Sequence, residues 1–212
     1  MMEFSRIQYI SQSQNLKDLK EELSRIVDYG IDWIQLRIKN YGQLSSDEFE
    51  GFYEECGELT SRVLESYNTT LIINDNLRLC MHLDADGVHL GKKDTSLEVA
   101  RDRLKNKCIG ATANELIDIE NAIKHGADYI GLGPLRETDT KKDLSPVLGF
   151  DGYEKIMKSE FKIPIYAIGG IVESDFMSLS EIGLHGMAMS GLIYRNGSSK
   201  MVKEINDIFT RK

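Results

Sequence analysis

Cysteine is scarce in this chain. The 3 cysteines among 212 residues, Cys56, Cys80 and Cys108, are odd in number and form no CxxC pair. That excludes a disulfide framework and predicts buried thiols in a reducing, cytoplasmic compartment. Positive charge is also short, with Lys+Arg 26 against Asp+Glu 34 and a net charge of −8. General nucleic-acid binding needs a basic surface and is excluded on that ground. If the chain binds an anion, its basic residues must be gathered locally. No apolar run approaches the length of a membrane helix, so no membrane partner is expected. The first residues, MMEFSRIQYISQ, lack a basic region and a long apolar stretch, which predicts no secretory signal. The 4 histidines suggest no metal cluster. No segment rich in Pro, Gly or Ser separates two halves, and 41% hydrophobic with 28% charged residues suits one soluble globular domain.

What is present is alternation. Short apolar runs predict strands at 7–10, 33–37, 70–74, 87–90, 107–111, 129–132, 165–168 and 187–189. Helix-period segments lie between them, with Asn15, Ser45 or Ser46, Ser96, Asn114 and Ser174 as N-caps and Gly30 as a stop. Helices are expected at 16–29, 46–67, 77–83, 96–104, 114–125, 152–159 and 174–182, with a last one at 200–209. Eight strands, each followed by a helix, predict a parallel α/β sheet closed as a TIM (β/α)8 barrel of one domain; a doubly wound open sheet is the alternative. A weak repeat of Gly, small residue, Asp and apolar strand at Gly30-Ile-Asp-Trp and Gly126-Ala-Asp-Tyr favours the ring.

A barrel of this kind carries its active site at the C-terminal strand ends. Strand 2 ends in Gln35-Leu-Arg-Ile-Lys39, whose alternate residues Gln35, Arg37 and Lys39 share one face. Arg37 and Lys39 suit a phosphate, against the plainer reading of a solvated strand end with a salt bridge. Strand 3 delivers Asn74 and Asp75, and the loop after strand 4 holds Asp94. Two carboxylates on neighbouring loops can seat Mg²⁺ carrying a phosphorylated substrate; each could instead cap a helix. Thr112 is a substrate contact or a cap. The long loop after strand 6 offers Thr138, Thr140 and Lys141. Its Gly131-Leu-Gly133 lacks the third glycine of a dinucleotide fingerprint, and no Walker A sequence occurs. Gly170 after strand 7 and Ser190-Gly191 after strand 8 stand where barrels often hold a phosphate on backbone N–H groups. His89 reads as a packed or hydrogen-bonded core residue. Two anion sites on one rim suggest an enzyme joining or rearranging two phosphorylated small molecules.

Over nearly its whole length the chain resembles the thiamine phosphate synthase family. The matching pieces are Gln35-Leu-Arg-Ile-Lys39, Ile73-Asn-Asp75, Ala85-Asp-Gly-Val-His-Leu-Gly91 with Asp94, Gly126 to Pro134, Thr138-Asp-Thr-Lys141 and Ala167-Ile-Gly-Gly-Ile171. The resemblance implies a Mg²⁺-dependent coupling of a hydroxymethylpyrimidine diphosphate with a thiazole phosphate, giving thiamine phosphate and pyrophosphate. It implies that Gln35, Arg37, Lys39, Asn74, Thr112 and Lys141 hold the pyrimidine diphosphate and that Asp75 and Asp94 bind Mg²⁺. Thr138, Thr140, Gly170, Ser190 and Gly191 would hold the thiazole phosphate, and Arg37 and Lys141 are the catalytic candidates. The implied reaction is dissociative, with pyrophosphate leaving before the thiazole nitrogen attacks. The chain departs from the family at Thr112 (commonly Ser), Asn114 (commonly His) and Ser190-Gly191 (commonly Val-Ser or Ile-Ser). Two alternatives are a thiazole tautomerase of the same family, whose members resemble synthases that have lost the metal aspartates, and a non-catalytic phosphate-binding regulator. The oligomeric state is open, a homo-oligomer included.

Overall fold

Each strand is a run of four to six residues with apolar side chains on both faces, as a sheet covered on both sides requires. In the computed structural model, which describes residues 3–39, 46–64, 68–137 and 146–210, these runs form β1 (Ile7–Ile10), β2 (Trp33–Leu36), β3 (Thr70–Asn74), β4 (Gly87–Leu90), β5 (Cys108–Ala113), β6 (Tyr129–Leu132), β7 (Ile165–Ile168) and β8 (Gly186–Met189). Each pairs in parallel with the next and β8 closes on β1, so the sheet is the expected barrel and not an open sheet. Between them run α1 (Leu16–Asp28), α2 (Ser46–Leu64), α3 (Leu77–His82), α4 (Leu97–Leu104), α5 (Leu116–Lys124), α6 (Gly149–Ile156), α7 (Phe176–Ile182), α8 (Gly191–Asn196) and α9 (Ser199–Thr210). Among the described residues no helix is long and apolar enough to cross a membrane.

Local chemistry explains the boundaries. Asn15 caps α1, its side chain accepting the Asp18 N–H at 2.9 Å, and Gly30 follows the helix at φ +88, a conformation glycine adopts without strain. Several expected boundaries move. β5 continues past Ala111 because Thr112 and Ala113 still pair with Gly131 and Leu132 of β6. Asn114 is therefore not the cap of α5. That place belongs to Glu115, and the Asp118 carboxylate accepts the N–H groups of Asn114 and Glu115 at 2.9 and 3.2 Å. Ser174 does not cap α7; a 3-10 turn, Glu173–Asp175, precedes it, and Asp175 accepts the Val172 N–H at 2.9 Å. Helix α6 begins three residues earlier than expected, and α8 follows β8 directly where only a turn was foreseen. The alternative cap Ser45 lies outside the described residues.

Two cores result. The larger packs the outward strand residues against the helices. The smaller fills the barrel with Ile10, Trp33, Ile72, Cys108, Tyr129, Tyr166 and Ala188. At the N-terminal end of the barrel, Trp33, Tyr129 and Tyr166 meet edge to face, with centroids 4.9 to 5.8 Å apart, and Phe4 packs beside Trp33 and Tyr129. This aromatic plug closes one end, so only the C-terminal end is left open for a ligand. All three cysteines are buried and free, and burial pushes the thiols of Cys56 and Cys80 up to about 12 and 11.

Candidate active site

Inward positions follow the barrel register: Ile10 pairs with Gln35, Asn74 with His89, His89 with Gly110, and Thr112 with Gly131. Above the aromatic plug these positions turn polar, and at the strand ends they turn charged. They open into a cavity of about 1010 Å³ lined in part by Gln35, Arg37, Lys39, Asn74, Asp75 and Asp94. Thr112, Gly170, Ser190 and Gly191 line the same cavity from the other strands. Every described residue singled out from the sequence as a ligand contact therefore reaches one chamber. Thr138, Thr140 and Lys141 lie outside the described residues.

The two aspartates are not helix caps. Asn76 caps α3, its side chain accepting the Leu79 N–H at 2.9 Å, and Ser96 caps α4. Asp75 stands one residue earlier at φ +62, a left-handed conformation that Asp tolerates better than most residues, with its N–H held by His89 O at 2.8 Å. That kink turns its carboxyl toward Asp94. Asp94 is fixed by its own loop, Oδ2 accepting the Gly91 N–H at 2.7 Å. Burial, a hydrogen bond to Asp94 and the Asp94 charge push the Asp75 carboxyl up to about 6, while Lys39, 3.6 Å away, and Asn74 pull the other way. Two like charges held together with only partial compensation form a seat for a cation. Hard carboxylate oxygens in this number suit Mg²⁺, which takes one or two and fills its shell with water and phosphate oxygens. Among the described residues no group of three or more His, Cys, Asp or Glu could hold a metal ion, so this pair stands alone.

The cations opposite are braced from β1. The Ser11 hydroxyl accepts the Arg37 N–H at 2.8 Å, and the Gln14 side chain accepts the Lys39 N–H at 2.8 Å while donating to Arg37 O at 3.3 Å. That β1–α1 loop is itself tied down by buried Glu22, whose carboxylate accepts the Tyr9 hydroxyl at 2.7 Å and the N–H groups of Gln12 and Ser13 at 2.8 Å. Ile38 is buried outward while Arg37 and Lys39 reach the cavity, as strand alternation demands. Burial draws the Arg37 guanidinium below its usual value, with Asp75 opposing. A half-buried guanidinium over a cavity is desolvated enough to grip a phosphate.

The other side of the chamber is built on glycine. Gly169 and Gly170 have φ +91 and +65, and a Cβ on either would stand 2.6 to 2.7 Å from Pro134 or Arg136. Arg136 clamps this loop, donating to Gly170 O at 3.2 Å and gripping Asp175 through both guanidinium ends. The Ser190 hydroxyl donates to Ile10 O at 2.7 Å, tying β8 to β1, so its proton is already engaged and the turn offers backbone N–H groups. The Asn114 side chain donates to Gly133 O and braces the end of β6. Sequence reasoning missed Arg195: a Cβ on Gly191 would stand 2.9 Å from its guanidinium, which thus overlies the glycine turn. The signal was spacing, since Arg195 follows Gly191 by one helical turn. It also missed Gln8 and Tyr129, inward polar groups on short apolar strands.

The comparisons with known proteins agree with this geometry. A family model described as thiamine monophosphate synthase matches residues 7–193. The chain is 42% identical over 210 residues to a thiamine-phosphate synthase of Flavobacterium johnsoniae, covering 96% of each, and 41% identical over 194 residues to one of Phocaeicola vulgatus, covering 89% of this chain and 90% of that one. A solved thiamine phosphate pyrophosphorylase from Pyrococcus furiosus superposes with a TM-score of 0.74 at 30% identity, over 96% of this chain and 93% of that one.

Proposed function

Because the chain belongs to the thiamine monophosphate synthase family, a family of transferases, we propose that it couples 4-amino-2-methyl-5-(diphosphooxymethyl)pyrimidine with 4-methyl-5-(2-phosphoethyl)thiazole, giving thiamine phosphate and pyrophosphate with Mg²⁺. The observation that carries this is the Asp75–Asp94 carboxylate pair beside Arg37 and Lys39, facing a second anion seat at Gly170 and Gly191 across one chamber.

In the reaction the methylene C–O bond breaks, its electron pair leaves with pyrophosphate, and the thiazole nitrogen supplies the pair for the new C–N bond. Little proton transfer is needed, and no general base is required at the reacting carbon. The barrier lies in charge separation, which fixed positive charge lowers. The backbone of Arg37 is held for this by Ser11 and Gln14, and Gln14 holds that of Lys39 beside it. Asp75 and Asp94 would hold the Mg²⁺, which when bound neutralises charge on the leaving pyrophosphate. Asn74, buried at the end of β3 beside His89, and Gln35 and Thr112 on the chamber floor would orient the pyrimidine ring. Lys141, Thr138 and Thr140 follow β6 in the sequence, and we assign Lys141 with Arg37 to the departing diphosphate. Gly170, with the Ser190-Gly191 turn and Arg195, would hold the thiazole phosphate and so aim its ring nitrogen at the methylene carbon.

The test is a coupling assay of purified protein with both substrates, in Mg²⁺ or in chelator, following thiamine phosphate. Product in Mg²⁺ alone is expected. Folded protein that makes no product in either condition would overturn the reading, and equal rates in chelator would remove the metal from it.

A further inference from the structure

The floor of the chamber is one continuous hydrogen-bond chain across the barrel. Gln35 Nε2 donates to Gln8 Oε1 at 3.0 Å, and Gln8 Nε2 donates to the Tyr129 hydroxyl at 2.9 Å. The Tyr129 oxygen lies 3.0 Å from His89 Nδ1, and His89 Nε2 lies 3.0 Å from the Thr112 hydroxyl. Gln8, Gln35, Tyr129 and His89 are between 0 and 5% exposed, so water does not complete their bonding. The backbone has been cleared for the two rings. A Cβ on Gly110 would stand 2.2 Å from the Tyr129 ring and 2.5 Å from His89 Nδ1, and one on Gly131 would stand 3.2 Å from His89 Cε1.

The amide orientations of Gln35 and Gln8, each with its Nε2 toward the next oxygen, set the direction of the chain, and donor and acceptor counting carries it on to Thr112. Gln8 Oε1 is taken by Gln35, so the Gln8 amide can only donate to Tyr129. The Tyr129 proton then has one acceptor in the chain, His89 Nδ1. The imidazole is left with its proton on Nε2, which goes to the Thr112 oxygen. The Thr112 hydroxyl proton therefore points away from the ring, into the chamber. At the opposite end Gln35 keeps its carbonyl oxygen as an acceptor. The two ends of the chain thus show a donor and an acceptor on one floor, the complement of an aminopyrimidine, which offers ring nitrogens and an amino group.

We propose that Gln8, Tyr129 and His89 are positioning residues, a buried relay that locks His89 in its Nε2–H tautomer so that Thr112 donates, and Gln35 accepts, toward the aminopyrimidine ring. The proposal deepens the synthase reading and rests on it for the identity of the ring. It explains why three polar side chains fill a barrel interior where apolar ones would pack at lower desolvation cost.

The test starts from protein labelled with ¹⁵N-histidine. A long-range ¹H–¹⁵N spectrum should show His89 protonated at Nε2 and bare at Nδ1, and Tyr129→Phe should mix or reverse that pattern. In steady-state kinetics Tyr129→Phe should raise KM for the pyrimidine diphosphate about tenfold, the effect of one buried hydrogen bond, and leave KM for the thiazole phosphate unchanged. Added to Thr112→Val, Tyr129→Phe should cost little more, because the relay acts through Thr112; a merely structural role would multiply the two effects. Gln8→Met carries the same readouts should Tyr129→Phe not fold. A wild-type spectrum with the proton on Nδ1, a pyrimidine KM within twofold of wild type in Tyr129→Phe, or multiplying effects would each overturn the relay. Should the wild-type protein not turn the substrates over, the synthase reading falls, and the His89 spectrum still decides the relay.

Discussion

Asp75→Asn should stabilise the ligand-free protein while destroying its activity. Burial and Asp94 raise the Asp75 carboxyl from 3.8 to about 6. A carboxylate raised in the folded state keeps its proton while the unfolded chain loses it, so stability falls as pH climbs between those values. Below the lower value there is no penalty, and above the upper one it is complete. That rise corresponds to about 3 kcal/mol. The side chain is 23% exposed at a chamber rim, which screens part of that, so a gain of about 1–3 kcal/mol is expected at pH 7.5. For a domain of this size that is roughly 2–12 °C in Tm. The assay is thermal unfolding of both proteins in chelator, at pH 7.5 and again near pH 4. The advantage should vanish at the lower pH. Mg²⁺ at about 100 times its dissociation constant adds about 2.7 kcal/mol to a protein that binds it, so the cation should close or invert the gap in favour of wild type. An Asn variant equal to or below wild type in chelator at pH 7.5 would refute the reasoning, since the two carboxylates would then not oppose one another.

Two further perturbations act on the braces around the chamber. Glu22→Ala leaves the Tyr9 hydroxyl and the N–H groups of Gln12 and Ser13 without their acceptor, and should cost about 3 kcal/mol by urea unfolding. It should also raise KM for the pyrimidine diphosphate, because the loop it releases holds Arg37 and Lys39. Arg136→Met strands Asp175, 3% exposed, as an unpaired buried charge, and should cost about 3 kcal/mol. Its kinetic signature should be a raised KM for the thiazole phosphate alone, through the Gly170 loop.

The barrel was legible because its signal is repeated: eight short apolar runs at regular spacing leave few topologies, and the parallel ladder closes them in order. The chamber residues were legible because strand alternation puts Gln35, Arg37 and Lys39 on one face regardless of loop detail. What failed was local. Thr112 and Asn114 carry cap-forming side chains, and their sequence does not say that the β6 ladder extends far enough to keep Thr112 in the strand. Gln8 and Tyr129 were missed for a different reason. Each sits alone among apolar neighbours, and their meaning arises only when β1, β4, β5 and β6 bring their inward positions together. Arg195 was hidden because the helix that folds it back over Gly191 is a single short one after an expected turn.

The order of side chains along the barrel axis explains how stability and activity are kept apart. At the N-terminal end the packed ring of Trp33, Tyr129 and Tyr166 excludes water and contributes cohesion without charge. Tyr129 belongs to both levels: its ring is part of the plug, and its hydroxyl enters the polar floor. The floor begins two residues further along β2, at Gln35, and its inner groups satisfy one another, so it costs little in the empty protein and is already oriented when a ring arrives. Only the outermost level is left in tension, where Asp75 faces Asp94 and Arg37 is drawn partly out of water. These groups are relieved by opposite charges that a phosphorylated ligand and its cation bring. The destabilised part of the molecule is thus confined to the level where binding can offset it, and the levels beneath hold the strand ends still enough for that tension to persist.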